Sequence, residues 1–256
     1  MPILSCKNIQ HVGVIQINTT TSSASEYTSD ITKIIIKRKI ASESRYITIY
    51  QHDVANISDL TVELNDALCR NNTEYLYKVE YRNDSDVIVE YTSTTINSYF
   101  NCLVILDETK VYSCPMNCSA ITFTSIKPYI MNVTLHNAKP SYYCNSAINY
   151  SEGTCQGTFV DMVEINNKID FIYKDNWRYR ANFKNWLMSG TAKLIKSVSG
   201  EMWLVGIKTD SISDSSLFSD AEIDGARLIE FGWVEIGDAD STDDLMEYNL
   251  LQSYSV

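Results

Sequence analysis

Four cysteines in the middle of the 256-residue chain are the residues whose type and spacing come nearest to a metal site. Cys114 and Cys118 are separated by three residues, whereas Cys144 and Cys155 are separated by ten. Four thiolates can bind Zn²⁺ tetrahedrally, but such sites usually pair their ligands at short spacings. Cysteines are also common as small residues of a hydrophobic core. We therefore expect ordinary thiols and no cofactor, with structural zinc, or a disulfide formed after release from the cell, as the alternatives.

A group of carboxylates near the C-terminus, in the stretch GDADSTDDL, raises the question of calcium binding. An EF-hand loop requires glycine at its sixth position and glutamate at its twelfth. Counted from Asp238, these positions are Asp243 and Asn249, so the pattern fails. An irregular calcium site is the alternative. We expect instead that the carboxylates solvate the end of a strand, with Ser241 or Thr242 capping a short helical turn.

No catalytic motif is recognisable in the sequence. It contains neither Gly-x-Ser-x-Gly nor a glycine loop for binding phosphate. His11, His52 and His136 lie in strand-like segments without a partner motif. The 32 acidic residues could supply the two carboxylates of a glycosidase, but no pair is marked by its spacing. We therefore expect a protein that is not an enzyme.

The tryptophans allow two interpretations, a sugar-binding platform or core packing. They are Trp177, Trp186, Trp203 and Trp233. Trp177 and Trp186 fall at helical spacing around Phe183, and the other two alternate within predicted strands. We therefore expect most of the four to be buried.

The net charge of −11 is unevenly distributed. Residues 1–96 contain 9 basic and 12 acidic residues, residues 97–199 contain 10 and 7, and residues 200–256 contain 2 and 13. Phosphate binding needs clustered lysine and arginine, so nucleic acid is not an expected partner. No segment approaches the roughly 18 apolar residues of a membrane helix, and the N-terminus does not resemble a secretory leader. We therefore expect no membrane association and folding in a reducing cytosol.

The elements that position these residues are mainly β. In the first part of the chain, strand-like segments separated by polar turns lie at 8–17, 31–39, 46–53, 60–68, 73–81 and 86–96. Alternation places Ile34 with Ile36 on one face of a strand, and Tyr75 with Tyr77 and Val79 on one face of another. Six or seven strands in about 95 residues predict a β-sandwich over residues 1–96.

Residues 97–256 are predicted to form a second domain, a β-barrel or an antiparallel sheet with one or two helices. Strands are expected in a hairpin at 97–114 and at 129–136, 156–165, 170–174, 191–197, 201–210 and 226–237. The segment 176–190 contains the clearest helix, near 176–188, with Asp175 or Asn176 as its cap and Gly190 at its end. An acidic tail completes this domain.

Two resemblances are carried by short motifs. The order ITKIIIKRK, YITIY, LTVEL and TEYLYKVEY resembles a fibronectin type III domain of the immunoglobulin-like class, in which a tyrosine of the penultimate strand often anchors the preceding loop. The tryptophan that many such domains carry early in the core is absent. Across residues 27–250, ITKIIIKRK, GEMWLVGIK and GWVEIGD…DDL resemble structural proteins of the tail and baseplate of tailed phages. The cysteine-rich segment 102–155 corresponds least.

The second resemblance implies a non-enzymatic virion protein of the tail, baseplate or neck/collar, made in the host bacterial cytoplasm. It would assemble as a homo-oligomeric ring and contact other tail proteins. A head-to-tail ring joins two different surfaces of the protomer, so we expect the cationic middle region to contact the acidic C-terminal region of a neighbour. The candidate interface residues are Lys174, Arg178, Arg180, Lys184, Asp238, Asp240, Asp243 and Asp244. The alternative function is an accessory module of a phage particle that binds a carbohydrate or receptor, such as a host surface glycan.

Overall fold

The computed structural model describes residues 2–21, 30–116, 118, 122–133, 139–144, 148–165, 168–172, 176–216 and 227–251. In these residues the fold is mainly β, as predicted, and every strand pair is antiparallel. The strands of the first part are β1 (Pro2–Ile9), β2 (Val14–Thr21), β3 (Lys33–Ile40), β4 (Ile47–Asp53), β5 (Val62–Asp66), β6 (Thr73–Arg82) and β7 (Ile88–Ser98).

The second part contains the remaining strands and two helices. The strands are β8 (Leu103–Leu106), β9 (Val111–Cys114), β10 (Thr122–Ile126), β11 (Tyr129–Asn132), β12 (Ser141–Cys144), β13 (Tyr150–Gly157), β14 (Asp161–Ile165), β15 (Lys168–Ile172), β16 (Lys193–Lys196), β17 (Met202–Ser216) and β18 (Arg227–Gly237). The helices are α1 (Asn176–Leu187) and α2 (Thr242–Glu247). The predicted helix at 176–190 is thus confirmed as an element that ends at Leu187.

The first seven strands form two sheets that enclose a common core. One sheet has the order β1-β2-β5 and the other the order β4-β3-β6-β7. Ile34 and Ile36 of β3, and Tyr75, Tyr77 and Val79 of β6, are buried in this core, as their alternation predicts. The β-sandwich character of this part is therefore confirmed. The predicted boundary after residue 96 falls within the last three residues of β7.

The prediction of a single strand over 8–17 is wrong, because a turn divides the segment. β1 ends at Ile9 and β2 begins at Val14, and the N–H of Gly13 donates to the carbonyl oxygen of Ile9 at 3.0 Å. Gly13 adopts φ +64°, a conformation that glycine reaches without a steric penalty. The two halves of the segment then pair with each other as a hairpin, with Ile9 opposite Val14.

A buried ion pair connects the two sheets of the sandwich. Nη1 of Arg38 on β3 lies 2.7 Å from both carboxylate oxygens of Asp66 on β5, and the hydroxyl of Tyr77 donates to Oδ2 of Asp66 at 2.6 Å. Burial by itself would raise the pKa of Asp66, but the charge of Arg38 and the hydrogen bond from Tyr77 hold it below its ordinary value. The ion pair therefore links β3 of one sheet to β5 of the other, and both of its charges are paired inside the core.

The second part is built on a seven-stranded sheet with the order β10-β13-β18-β17-β16-β8-β9. Of the two predicted architectures, the described residues form the antiparallel sheet, with β10 and β9 at its edges. One face packs against α1, where Phe183, Trp186 and Leu187 meet Phe231 and Trp233 of β18. Because both faces are covered, β8 and β16 are buried at every position.

The other face of this sheet packs against the sandwich and α2 in a shared core. Leu204 of β17 and Val104 of β8 contact this core from the sheet, Val14 and Leu68 from the sandwich, and Leu245 from α2. The two parts of the chain are thus joined by an apolar interface, and the buried surface gives their relative orientation a hydrophobic basis.

Candidate functional site

The feature most unlike a structural core is a projecting two-stranded ribbon, β11–β12. It pairs Ile130 with Tyr143 and Met131 with Tyr142, and neither strand joins another sheet in the described residues. These four side chains and Tyr129 have exposed fractions between 55% and 65%. Because successive residues of a strand point to opposite faces, both faces of the ribbon are apolar and open to solvent.

We expect the exposed β11–β12 ribbon to bind a partner. A lone two-stranded ribbon is at best marginally stable in water, and exposed apolar patches usually mark contact surfaces. The ring contact between Tyr129 and Tyr142, with centroids 5.3 Å apart, orders the ribbon but leaves its surface uncovered. The surroundings are cationic: the sequence has no acidic residue between Glu108 and Glu152, whereas Lys127 and Lys139 flank the ribbon.

A second ribbon, β14–β15, follows β13 and precedes α1 along the chain. Its strands pair from Asp161 opposite Ile172 to Ile165 opposite Lys168. Val163, Ile169 and Ile172 are each more than a third exposed. The predicted strand over 156–165 is in fact divided, because β13 ends at Gly157 and β14 begins at Asp161. The sequence prediction identified these strands without showing that they project from the main sheet.

The predicted cationic interface residues are mostly engaged within the chain. Arg180 is buried at 6% exposure on the core side of α1. Nζ of Lys184 lies 2.6 Å from Oδ2 of Asp214, which Arg227 also contacts. Arg178 is exposed, with its guanidinium 5.2 Å from the centroid of the Trp177 ring. Lys174 lies outside the described residues. Of the three described cations of α1, Arg180 is buried and Lys184 is paired with β17, so Arg178 is the one that faces solvent without an ion pair in the described residues.

The four acidic interface candidates have separate roles. Asp240 is paired with Arg70 of the sandwich at 2.7 Å. Asp244 accepts a hydrogen bond from the backbone N–H of Asp238 at 2.7 Å and shapes the start of α2. Asp238 and Asp243 are exposed. Ser241 is the N-cap of α2 and accepts from the N–H of Asp244, so the predicted helical turn with its serine cap is confirmed.

The four candidate zinc ligands are not assembled as a metal site. In the described part of the chain, no group of three or more Cys, His, Asp or Glu side chains is placed to hold a metal ion. Cys114 donates weakly to the carbonyl oxygens of Met116 and Thr158, and burial raises its pKa. Burial also raises the pKa of Cys155 to about 12, whereas Cys144 is exposed on the ribbon. Cys118 is partly buried.

Three of the four tryptophans belong to the core, as expected. Trp186, Trp203 and Trp233 are buried between the sheet and α1, and Trp203 and Trp233 lie with ring centroids 5.4 Å apart. Trp177 is 59% exposed on the outer face of α1. A four-tryptophan sugar platform is therefore not present on the surface.

A concave site that the sequence did not indicate lies beside the turn from β16 to β17. It is a cleft of about 500 Å³, walled by Leu103, Phe123 and Trp203. The hydroxyl groups of Ser197 and Ser199 both contact Oε2 of Glu201 at its rim. The turn letters SVSGE carry no catalytic motif, so no sequence signal pointed to this arrangement.

Two fully buried lysines were also missed by the sequence prediction. Lys193 forms an ion pair with Asp107 at 3.0 Å, and its ammonium lies 4.5 Å from the ring centroid of Trp186. Lys196, on the opposite face of β16, donates to two carbonyl oxygens of the sandwich. Burial lowers the pKa of both lysines. Each lysine contacts a strand or turn that is distant in the sequence, so these partners can be identified only from the fold.

Comparison with known proteins finds no matching family model and no matching curated protein. Among the residues that the structure describes, no helix has the length and apolar character needed to span a membrane.

Proposed function

We propose that this protein is a non-enzymatic structural component of a virion that assembles as a ring in a phage tail, baseplate or neck. The observation that carries the proposal is the β11–β12 ribbon, with apolar side chains exposed on both faces. A neighbouring subunit would cover these side chains and supply the support that a lone ribbon lacks. Contact with other protein subunits is thus the function that the exposed ribbon supports best.

The sandwich supports the resemblance to fibronectin type III domains. Its strand order places the fourth strand beside the third, with the sixth and seventh following, opposite a sheet of the first, second and fifth. The backbone N–H of Arg70 donates to the hydroxyl of Tyr75 at 2.8 Å, a contact like the tyrosine corner of such sandwiches. We include a fibronectin-like N-terminal domain in the proposal.

A ring of identical subunits needs two different, complementary surfaces. The first would be the ribbon, flanked by Lys127 and Lys139. The second would be the face of α2, where Met246 is 61% exposed and the carboxylates of Asp243 and Glu247 are open to solvent. The cationic side of the contact is thereby assigned to the ribbon instead of α1, and the acidic side remains at the C-terminal end of the described chain.

The test is the assembly state of the purified protein, measured by sedimentation velocity across a series of protein and salt concentrations. We expect a closed oligomer at low salt that dissociates as salt screens the contact. The double substitution Ile130→Ser and Tyr143→Ser should leave a folded monomer. Its matched control is Tyr91→Ser, which removes a 57% exposed tyrosine of β7 and should leave assembly unchanged.

Three outcomes would contradict the proposal. A monomer at every concentration and ionic strength would remove the ring. An oligomer that survives the double ribbon substitution would show that the ribbon is not its contact surface. Degradation of peptidoglycan in a zymogram would contradict the non-enzymatic part of the proposal.

A further inference from the structure

The cleft beside the β16–β17 turn has the construction of a small binding site. Its volume of about 500 Å³ lies within the range of about 300–1,000 Å³ that is typical of ligand pockets. Its walls are mainly apolar, and Phe123 is 48% exposed, so one aromatic ring is open to an occupant. The lining residues are Leu103, Cys118, Phe123, Ser197, Val198, Ser199, Glu201 and Trp203.

The two serines and the glutamate of the cleft offer acceptors only. Ser197 and Ser199 each have one hydroxyl proton, and both protons are used within the cluster, on Glu201 or between the two hydroxyls. These hydrogen bonds hold the pKa of Glu201 below its ordinary value, so its carboxylate is ionised at neutral pH and donates nothing. An occupant must therefore bring the donors.

The negative charge of the cleft also favours an occupant that carries hydrogen-bond donors. Among the described residues that line the cleft, Glu201 is the only carboxylate and none is cationic. The nearby guanidinium of Arg70 is bound to Asp240 and to the carbonyl oxygen of Gly200, so its charge is largely balanced. Aromatic faces attract cations within about 6 Å. Phe123 and Trp203, with ring centroids 5.1 Å apart, supply such faces beside the carboxylate.

We propose that this cleft binds an organic cation on an apolar stem, an alkylammonium or guanidinium group such as the side chain of lysine or arginine. These groups are donors without acceptors, which matches the remaining acceptor capacity of Ser197, Ser199 and Glu201. The methylene stem would contact Leu103 and Phe123 while the charged end meets Glu201. A sugar presents acceptors as well as donors, and Ser197, Ser199 and Glu201 leave no proton free for its acceptors. This binding would be independent of ring assembly.

Calorimetric titration of the full chain with two blocked tripeptides tests the proposal. The probes are acetyl-Gly-Lys-Gly-amide and its norleucine counterpart, which keeps the stem and lacks the charge. We expect saturable binding of the lysyl peptide, at least about tenfold tighter than that of the norleucine peptide. An arginyl peptide that binds more tightly still would keep the proposal and assign the guanidinium as the preferred group.

Variants locate the site. Glu201→Gln should reduce lysyl-peptide binding to the norleucine level, whereas Glu74→Gln, at an exposed acid on β6, should leave it unchanged. Phe123→Ala provides a second variant that removes a wall without changing the charge, and it should weaken both peptides. Thermal melting confirms that each variant is folded. Equal binding of the two peptides, no saturation up to about 10 mM, or equal losses in the two glutamate variants would overturn the proposal.

Discussion

The ammonium nitrogen of Lys196 lies 2.6 Å from the carbonyl oxygen of Gly13 and thereby joins two residues 183 positions apart. The same nitrogen donates to the carbonyl oxygen of Ala67 at 2.7 Å and lies 4.7 Å from the ring centroid of Phe100. Lys196 is completely buried between the seven-stranded sheet and the sandwich. One side chain of the second unit thus satisfies two backbone groups of the first, which fixes how the units dock.

Replacement of Lys196 by Met should destabilise the whole chain. The substitution keeps the apolar stem but leaves the carbonyl groups of Gly13 and Ala67 without their donor, at a cost of about 2–4 kcal/mol in unfolding free energy. Urea denaturation measures the loss. Lys110→Met, at an exposed lysine, is the control and should stay within about 0.5 kcal/mol of the parent. Equal midpoints for the two variants would contradict a clamping role for Lys196.

Two buried tyrosines of β6 provide a comparison of hydrogen bonding at constant shape. The hydroxyl of Tyr77 donates to Asp66, whereas the hydroxyl of Tyr81 has no hydrogen-bond partner among the described residues. We expect Tyr77→Phe to cost about 1–3 kcal/mol, because it leaves a buried carboxylate short of a donor. Tyr81→Phe should be neutral or stabilising, since it removes a buried polar group that is unpaired there. Chemical denaturation of both variants checks the contrast, and similar losses would contradict it.

An ion-pair cluster around Glu80, on the outer face of the four-stranded sheet, should make the fold less stable in acid. The carboxylate of Glu80 contacts Lys37, Lys78 and Arg82 at 2.6–2.9 Å. Burial would raise the pKa of Glu80, but hydrogen bonds from these three cations lower it from 4.5 to about 2. A carboxyl group whose pKa is depressed by folding stabilises the fold above its unfolded value, and this contribution is lost as the pH falls towards the folded value.

Glu80→Gln should therefore reduce stability near neutral pH and matter progressively less in acid. Because solvent reaches the three cations, we expect a difference of about 1–2 kcal/mol at neutral pH. Denaturation of both proteins between about pH 6 and pH 3 measures how that difference shrinks. A difference independent of pH would show that the carboxylate charge is not responsible.

Alanine substitutions at Gly13 and Gly190 distinguish two costs in unfolding free energy. One is the cost of packing a new Cβ, and the other is the cost of the backbone conformation. Both glycines have positive φ, +64° and +78°. A Cβ at Gly13 would lie 2.6 Å from Cγ2 of Val104, whereas a Cβ at Gly190 would meet no atom within 4 Å. We expect Gly190→Ala to cost about 1 kcal/mol for the backbone alone. Gly13→Ala should cost about 2–4 kcal/mol, because the sandwich must move away from β8. Thermal melting ranks the two, and equal shifts would contradict the close approach.

Secondary structure could be predicted where one face of a strand is buried and the other is solvated. β3 and β6 show this alternation clearly, and both were located to within a residue or two. β10 and β12 were missed, because their serine, threonine and tyrosine residues are largely exposed and form no apolar stripe. β1 was missed although Leu4 and Cys6 alternate towards the sandwich core. The helix α1 was predicted from the three-to-four spacing of Trp177, Arg180, Phe183, Trp186 and Leu187. All of these except Trp177 are buried.

The assignment of charged residues was less predictable than the strands. A sequence shows that Asp240 and Lys184 are charged, but their partners, Arg70 and Asp214, lie 170 and 30 residues away. Each of these two side chains is thus part of an ion pair within the chain. The cleft was equally invisible, since Glu201 and Phe123 come from a turn and an edge strand that only the sheet brings together.

The sequence by itself determined that this protein is built from antiparallel β-structure with one amphipathic helix, since burial patterns of period two and 3.6 are local properties of the chain. It also determined the uneven charge. Tertiary structure alone decided that the predicted sandwich docks on a seven-stranded sheet and that Lys196 lies between them. It also decided that β11 and β12 project as a ribbon. Those outcomes depend on which distant surfaces exclude water together, and no local pattern specifies that choice.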